Sequence, residues 1–424
     1  MPDLPDLIPL ETAQARVLDG VAALPSISVD LADAGGLVLA APVRSTLTVP
    51  SWTNSAMDGF AVRAADIAAA SGDHPAVLRV LGEVAAGRAP EGTVTTGTAI
   101  RIMTGAMLPD GADTVVPVEE TDAPAGASAI PDQVAILAAV RIGDHIRQPG
   151  SDVRAGAHLL DAGRTCDAAA VALLAATGHA TVSVHRRPRV AVISTGDELV
   201  QPGQPLGPGQ IHDSNSFTLA AQAAEAGAEV RRLGVARDTL EALLGLLREA
   251  VAWADVVVLS GGVSVGAHDH VKAAFGTMGD LALWRVAIKP GRPFAFGRAT
   301  VDGRDVRLFG LPGNPVSVFV TFELFVRPVL RRMAGHPNGF DRPTRVVRVA
   351  EPMRGSSGRQ NITRVTLVPD PDRPDGLLAR SSGGQDSYKL GSLAAANAML
   401  FIPPDASLAV GDEVIAWEVR SREG

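Results

Sequence analysis

Apolar residues recur in several distinct rhythms along the chain, and the changes of rhythm divide it. In residues 9–24, Leu10, Val17, Leu18, Val21 and Leu24 fall at helical spacing, which predicts an opening amphipathic helix that Pro25 ends. Residues 49–149 switch to short β-prone runs (AVLRVLGEV, TAIRIMTG, DTVVPVEE, QVAIL) separated by Gly, Pro and Asp clusters, which predicts a small β-rich domain with the spacer DAPAGASAIPD as an exposed turn. In the alanine-rich residues 167–177, Asp167 is placed to cap a short buried helix and Gly178 to end it. From Pro188 to Gly335 the pattern alternates. RVAVIST, AEVRRLGVA, DVVVLS, LALWRVAI, RPFAF and VRLFG read as buried strands. SNSFTLAAQAAEAG, TLEALLGLLREAVAWA, the region of DHVKAAF, and PVSVFVTFELFVRPVLRRM read as helices. This alternation predicts a mostly parallel sheet covered by helices on both faces, with right-handed crossovers. After residue 340, RVVRVA, ITRVTLV, AMLFIPP and EVIAWEV with polar turns between them predict a small β-barrel or sandwich.

Composition narrows the class. At 424 residues the chain is long enough for several cores, and 46% hydrophobic with 20% charged residues is a folded composition. Its 44 glycines and 30 prolines cluster without period in groups such as TGDE, SGGVSVG and GLPGNP, which excludes collagen and draws attention to the loops. A single cysteine, Cys166, excludes an intramolecular disulfide or a multi-thiolate metal site within one chain and fits a reducing compartment. The net charge of -8 argues against non-specific nucleic-acid binding. MPDLPDLIPLETA lacks the basic and apolar regions of a signal peptide, and no apolar run reaches membrane length, so a cytoplasmic location and no membrane contact are expected.

Three glycine-rich loops, at 194–198, 260–266 and 310–315, each follow a predicted strand. In open α/β sheets ligands bind beyond the carboxyl ends of strands, so the three are expected to line one crevice. SGGVSVG has the features of a phosphate cradle, since glycines let backbone N–H groups approach an anion; ordinary loop geometry is the plainer reading. GxxxxGK[ST] and a helix-opening GxGxxG are both missing, which disfavours a P-loop NTPase and a standard dinucleotide fold. Asp197, Glu198 and Asp269 flank the loops and suit a hard cation such as Mg²⁺ bridging carboxylate and phosphate, with helix capping as the alternative. For Asp238 the sequence DTLE favours a capping box with Glu241, and Asp213 before SNSF has a similar ambiguity. Lys289 and Arg292 in IKPGRP bracket a Pro-Gly turn, either as an oxyanion pocket or as a solvated turn. A metal site at His268 and His270 is disfavoured by their spacing. Asn54, Ser55, Asp58, Thr104, Gly105 and Asp152 occupy turns, where polar groups commonly satisfy backbone hydrogen bonds.

Taken in order, NSAMDGFAVR, RIMTGAMLPDGADTVVPVE, STGDEL, SGGVSVG, IKPGRPFAFG and GLPGNPVS resemble the molybdopterin molybdenumtransferase family, MoeA in bacteria and the E domain of gephyrin in animals. In the last domain the resemblance is carried by Gly358, Arg359, Arg364 and GGQDS. It implies a helical linking domain (1–48 and 150–186), a β-rich domain (49–149), an α/β molybdopterin-binding domain (187–334) and a C-terminal β-barrel (335–424). It implies a homodimer whose cleft lies between the β-rich domain of one subunit and the last two domains of the other. The implied activity is transfer of molybdenum from molybdate to the dithiolene of adenylylated molybdopterin with release of AMP, assisted by Mg²⁺ or another divalent cation. A molybdopterin adenylyltransferase is a partner the resemblance suggests.

Carried onto this chain, the resemblance makes Asp58, Glu198, Asp238 and Asp269 catalytic candidates. Asp58, Asp152, Glu198 and Asp269 are the metal candidates. Molybdate and the adenylylated pterin would meet Thr104, Gly196, Asp197, Gly261, Gly262, Ser264, Gly266, Lys289, Arg292, Pro312, Gly313, Asn314, Pro315 and Ser387. Departures are Phe60 for a usual Tyr, Ser151 for a common Glu, Arg292 for a frequent Lys, and Gly384 and Asp386 in the last domain. Two other readings compete. An adenylyltransferase would resemble residues 187–334 alone, and a gephyrin-like scaffold would not need its catalytic loops.

Overall fold

The computed structural model describes residues 7–124, 126, 129–262, 268–338 and 342–419. Its centre is a six-stranded sheet in the order Glu229–Ala236, Arg189–Thr195, Val256–Ser260, Arg304–Leu311, Pro293–Val301, Gly279–Arg285. The first four strands are mutually parallel and the last two join antiparallel. Successive residues of Arg189–Thr195 serve opposite faces. Val190 and Val192 enter a core with the helix Asn215–Glu225, whereas Ala191 and Ile193 pack with the helices Leu240–Trp253 and His268–Met278. Burial on both faces is why these strands read as continuous apolar runs rather than alternating ones. The helix that begins at Pro315 runs through Pro315–Thr321, a wide π turn at Phe322–Val326, and Arg327–Met333. The π turn ends two residues before Pro328, which has no N–H to continue a regular ladder.

The opening helix spans only Leu10–Leu18. Gly20, at φ +65, takes the chain out of it, five residues before the expected stop at Pro25. Leu10, Ala13 and Val17 from the helix and Val21 from the following turn all pack into the α/β core, so one apolar spacing serves two conformations. The neighbouring module pairs Ser26–Asp30 with Thr181–His185 and Val43–Arg44 with His158–Leu160, and so has more strand than a helical linker suggests. Its helix Ala168–Ala176 starts as read from sequence: Asp167 Oδ1 accepts from Ala170 N at 2.8 Å, and Gly178 follows the end at φ +85.

The β-rich part is a five-stranded sheet, in the order Thr114–Pro117, Gly59–Val62, Thr98–Ile102, Ala76–Val84, Gln133–Ile136. Near the C-terminus, Gln360–Pro369, Leu377–Ser381, Thr344–Val349, Glu413–Glu418 and Ala398–Ile402 close into a barrel, since the last strand pairs back onto the first. A two-residue strand from the α/β part, Ile288–Lys289, pairs in parallel with Gln360 and Asn361 of that barrel. Among the described residues no helix is long and apolar enough to cross a membrane.

Candidate functional site

The carboxyl ends of the four parallel strands open into one cleft of about 1160 Å³. Thr195 ends Arg189–Thr195 and Gly196 and Glu198 follow it, Asp238 follows Glu229–Ala236, Gly261 and Gly262 follow Val256–Ser260, and the segment 312–315 follows Arg304–Leu311. Lys289 and Arg292 line the same cleft, and the barrel closes one side with Asn361, Ile362, Gln385, Asp386 and Ser387. Thus Gly196, Glu198, Asp238, Gly261, Gly262, Lys289, Arg292, Pro312, Gly313, Asn314, Pro315 and Ser387 come together.

Close approach explains two of the glycines. Gly196 sits at φ +143, and a Cβ there would lie 2.5–2.7 Å from the carboxylate atoms of Glu198, so only glycine lets that carboxylate fold back over the strand end. At Gly261 (φ +92) a Cβ would stand 2.7 Å from the Thr195 carbonyl oxygen, which keeps adjacent strand ends in contact. Asp238 is released from the capping role its sequence suggested. The cap of Leu240–Trp253 is Thr239, whose hydroxyl accepts from Ala242 N at 3.3 Å. Asp238 instead lines the cleft, and its N–H donates to Asp197 Oδ1 at 3.3 Å, which makes Asp197 a support of the loop at the rim. Asp213 is structural: fully buried, it accepts from Ser194 Oγ at 3.0 Å, Ser216 N at 3.0 Å and Ser216 Oγ at 2.6 Å, clamping strand to helix.

Two positioning groups stand out. Asn215, about nine-tenths buried and facing the cleft, donates from Nδ2 to Ser260 Oγ at 2.9 Å and to Gly313 O at 2.7 Å, tying the second loop to the third; its Oδ1 has no partner. Its only signal in the sequence is a Ser-Asn-Ser helix start, where Asp213 is the residue with the capping pattern. Arg364 is fully buried and donates from Nη2 to Gly384 O at 2.7 Å and Asp386 O at 3.2 Å, so the barrel interior holds the loop that presents Ser387. Val316 N donates to Ser387 O at 3.0 Å and fastens that loop to the α/β part.

Asp58, Thr104 and Asp152 lie outside this cleft in their own chain, and Asp197 is not among its lining residues. The exposed Asp58 accepts from Thr104 N at 2.6 Å and Thr104 Oγ1 at 2.8 Å, and these bonds, backbone first, hold its carboxyl below the usual range. Asp58 borders a separate cavity of about 450 Å³ with Phe60, Arg101 and Glu119. Asp152 sits on an exposed turn, its N–H donating to Val49 O at 3.2 Å. Ser264 and Gly266 fall outside the described residues. Asp269 belongs to the helix His268–Met278, with its side chain outside what is described. Among the described residues no three His, Cys, Asp or Glu side chains gather into a metal-binding cluster.

Strand-end glycine loops with the Lys289 and Arg292 cations and the Glu198 and Asp238 carboxylates around one cleft make an α/β protein suited to binding an anionic ligand there. Residues 8–178 match the MoeA N-terminal region (domain I and II), residues 191–332 a probable molybdopterin binding domain, and residues 346–419 the MoeA C-terminal region (domain IV). Molybdopterin molybdenumtransferase 2 of Mycobacterium tuberculosis is 41% identical over 413 residues, covering 96% of this chain and 98% of that protein. The molybdopterin molybdenumtransferase of Nostoc is 38% identical, over 92% and 88% respectively. The crystal structure of a molybdopterin biosynthesis MoeA protein from Pyrococcus horikosii superposes with a TM-score of 0.76 at 32% identity, over 98% of this chain and 100% of that one. The chain belongs to the molybdopterin molybdenumtransferase family. It is an enzyme of molybdenum cofactor biosynthesis that inserts molybdenum.

Proposed function

We propose that the substrate is adenylylated molybdopterin, that molybdate supplies the metal, and that AMP is released as molybdenum enters the dithiolene. The observation that carries this reading is the meeting in one cleft of the Lys289 and Arg292 cations, the Glu198 and Asp238 carboxylates and the Gly261–Gly262 turn. Molybdate is a dianion, and Lys289 with Arg292 compensates its charge while Ser387 offers a hydroxyl from the barrel. Arg292 presents a planar fork where a lysine would be a point donor. The phosphates lie along Gly261 and Gly262, with the neighbouring Gly313 packed against Gly261 and Asn314 following it in the same lining. Water attacks phosphorus, the phosphoanhydride bond breaks, AMP leaves and the pterin keeps its own phosphate. Glu198 and Asp269 are the groups proposed to hold and deprotonate that water, and Asp238 lines the cleft with Glu198.

Mg²⁺ is the proposed cation, and the donors suit it. Glu198 and Asp238 offer hard carboxylate oxygens to the cleft. Mg²⁺ ordinarily takes one or two carboxylates and completes its shell with phosphate oxygens and water. When bound, it neutralises phosphate charge. Asp58 and Thr104 serve a cleft completed by a second copy of the chain, with Asp152 as a further acidic group there. The working form is a cytoplasmic homodimer, supplied with its substrate by a molybdopterin adenylyltransferase.

Anaerobic incubation of the adenylylated pterin with molybdate and Mg²⁺ tests the reading by following AMP and metal-loaded pterin together. Stoichiometric appearance of both is expected. AMP release abolished by Asp269→Asn, with the fold retained by circular dichroism, is the second expected result. Metal loading without AMP, or unaltered turnover of the variant, overturns the assignment.

A further inference from the structure

The cleft has one phenylalanine, tyrosine or tryptophan among its described lining residues, and it is Tyr388, the only tyrosine in the chain. The residue is 65% exposed, although the backbone around it is held firmly. On one side Val316 N donates to Ser387 O at 3.0 Å; on the other Leu390 N donates to Tyr388 O at 3.0 Å; behind, Arg364 secures Gly384 and Asp386. A large amphipathic ring kept in water on a pinned loop is available to a planar ligand, and base–aromatic stacking needs only a π face.

The wall that carries Tyr388 decides which planar ligand. Lys289 pairs through its strand with Asn361, and the same barrel strand carries Arg364, which holds the loop of Ser387 and Tyr388. Tyr388 directly follows Ser387, the hydroxyl proposed to share the oxyanion with Lys289, and both Lys289 and the loop of Ser387 are held by the barrel strand Gln360–Pro369. In the adenylylated substrate the heterocycle next to the dithiolene is the pterin, and the adenine lies beyond the phosphates. With the oxyanion at Lys289 and the phosphates at Gly261–Gly262, the ring that reaches the barrel wall is the pterin.

Resting on the function proposed above, we infer that Tyr388 is a substrate-binding residue that stacks on the pterin ring. Lys389 Nζ, 5.9 Å from the ring centroid and bridged at 2.9 Å to Asp386, helps hold the tyrosine's orientation. The test uses the full chain and Tyr388→Ala, Tyr388→Phe and Tyr388→Leu, with molybdenum insertion as one readout and quenching of the fluorescence of a simple 6-substituted pterin as the other. Alanine and leucine are expected to raise KM for the adenylylated pterin about tenfold, equivalent to about 1.4 kcal/mol, with kcat little changed and pterin quenching lost. Phenylalanine should behave as the unaltered protein, and AMP binding should be indifferent to all three. An unchanged KM in the alanine variant overturns the inference, and so does a phenylalanine variant as impaired as alanine. Loss of AMP binding in place of pterin quenching assigns the ring to adenine and overturns it too, as does Tyr388 shielded by a second copy of the chain. Failure of the unaltered protein to release AMP would instead count against the function on which the inference rests.

Discussion

At the scale of single residues, the cleft depends on groups whose partners decide their state. Asn215 makes two buried hydrogen bonds that join Ser260 to Gly313, and leaving their acceptors unpaired costs about 1–3 kcal/mol. Asn215→Ala should lower the melting temperature modestly and turnover strongly. Asn215→Asp should do no better, because a carboxylate cannot donate to the Gly313 carbonyl; turnover of purified variants at matched folding checks this. Asp58 is held ionised chiefly by the Thr104 N–H and then by the Thr104 hydroxyl. Thr104→Val keeps the first bond and removes the second, so the Asp58 pKa should rise towards its ordinary value. If ionised Asp58 is required, the acid limb of the kcat/KM profile should move to higher pH, and an unmoved limb would separate Asp58 from the reaction.

At the scale of elements, what was legible in the sequence divides by whether a pattern is local. The strands that end at Thr195, Ser260 and Leu311 could be read because both faces are buried, and their glycine loops followed from strand ends alone. Asn215 and the Thr239 cap were not legible. Each depends on which of several adjacent small polar residues turns inward, and tertiary contacts decide that. The stop of the first helix was misplaced because Val21 packs in the same core from a non-helical backbone. Lys289 could be singled out, but its pairing with Asn361 links residues 72 positions apart by no local rule. The end of Arg327–Met333 supplies a prediction of its own. Burial, then Arg331 and Arg327, lowers the His336 pKa from 6.5 to about 4. Between those values the unfolded chain binds a proton that the folded chain refuses, so this group's contribution to stability is complete above pH 6.5 and is lost as pH falls towards 4. Melting temperatures measured across that window should fall less steeply for His336→Asn than for the unaltered protein; parallel slopes would contradict the shift.

At the scale of the whole molecule, the separation of Asp58 from the cleft in its own chain becomes an argument about assembly. Asp58, hydrogen-bonded to Thr104, borders a different cavity, whereas Lys289, Arg292, Glu198 and Asp238 share one. If both sets serve one reaction, a second copy must bring its β-rich part to this cleft, and twofold symmetry then makes two equivalent composite sites. Mixed dimers expose that geometry. Take Asp58→Asn and Lys289→Ala, each inactive alone. In a heterodimer one composite site collects both lesions and the other collects neither. Random reassortment makes about half the dimers mixed, each with one intact site, so the mixture should recover about a quarter of the unaltered activity. Sites contained within single chains would give no recovery, because every chain in the mixture carries one lesion. Denaturing and refolding the two variants together, then measuring AMP release against separately refolded controls, distinguishes the two geometries: recovery near a quarter supports the shared cleft, and activity no greater than the controls refutes it.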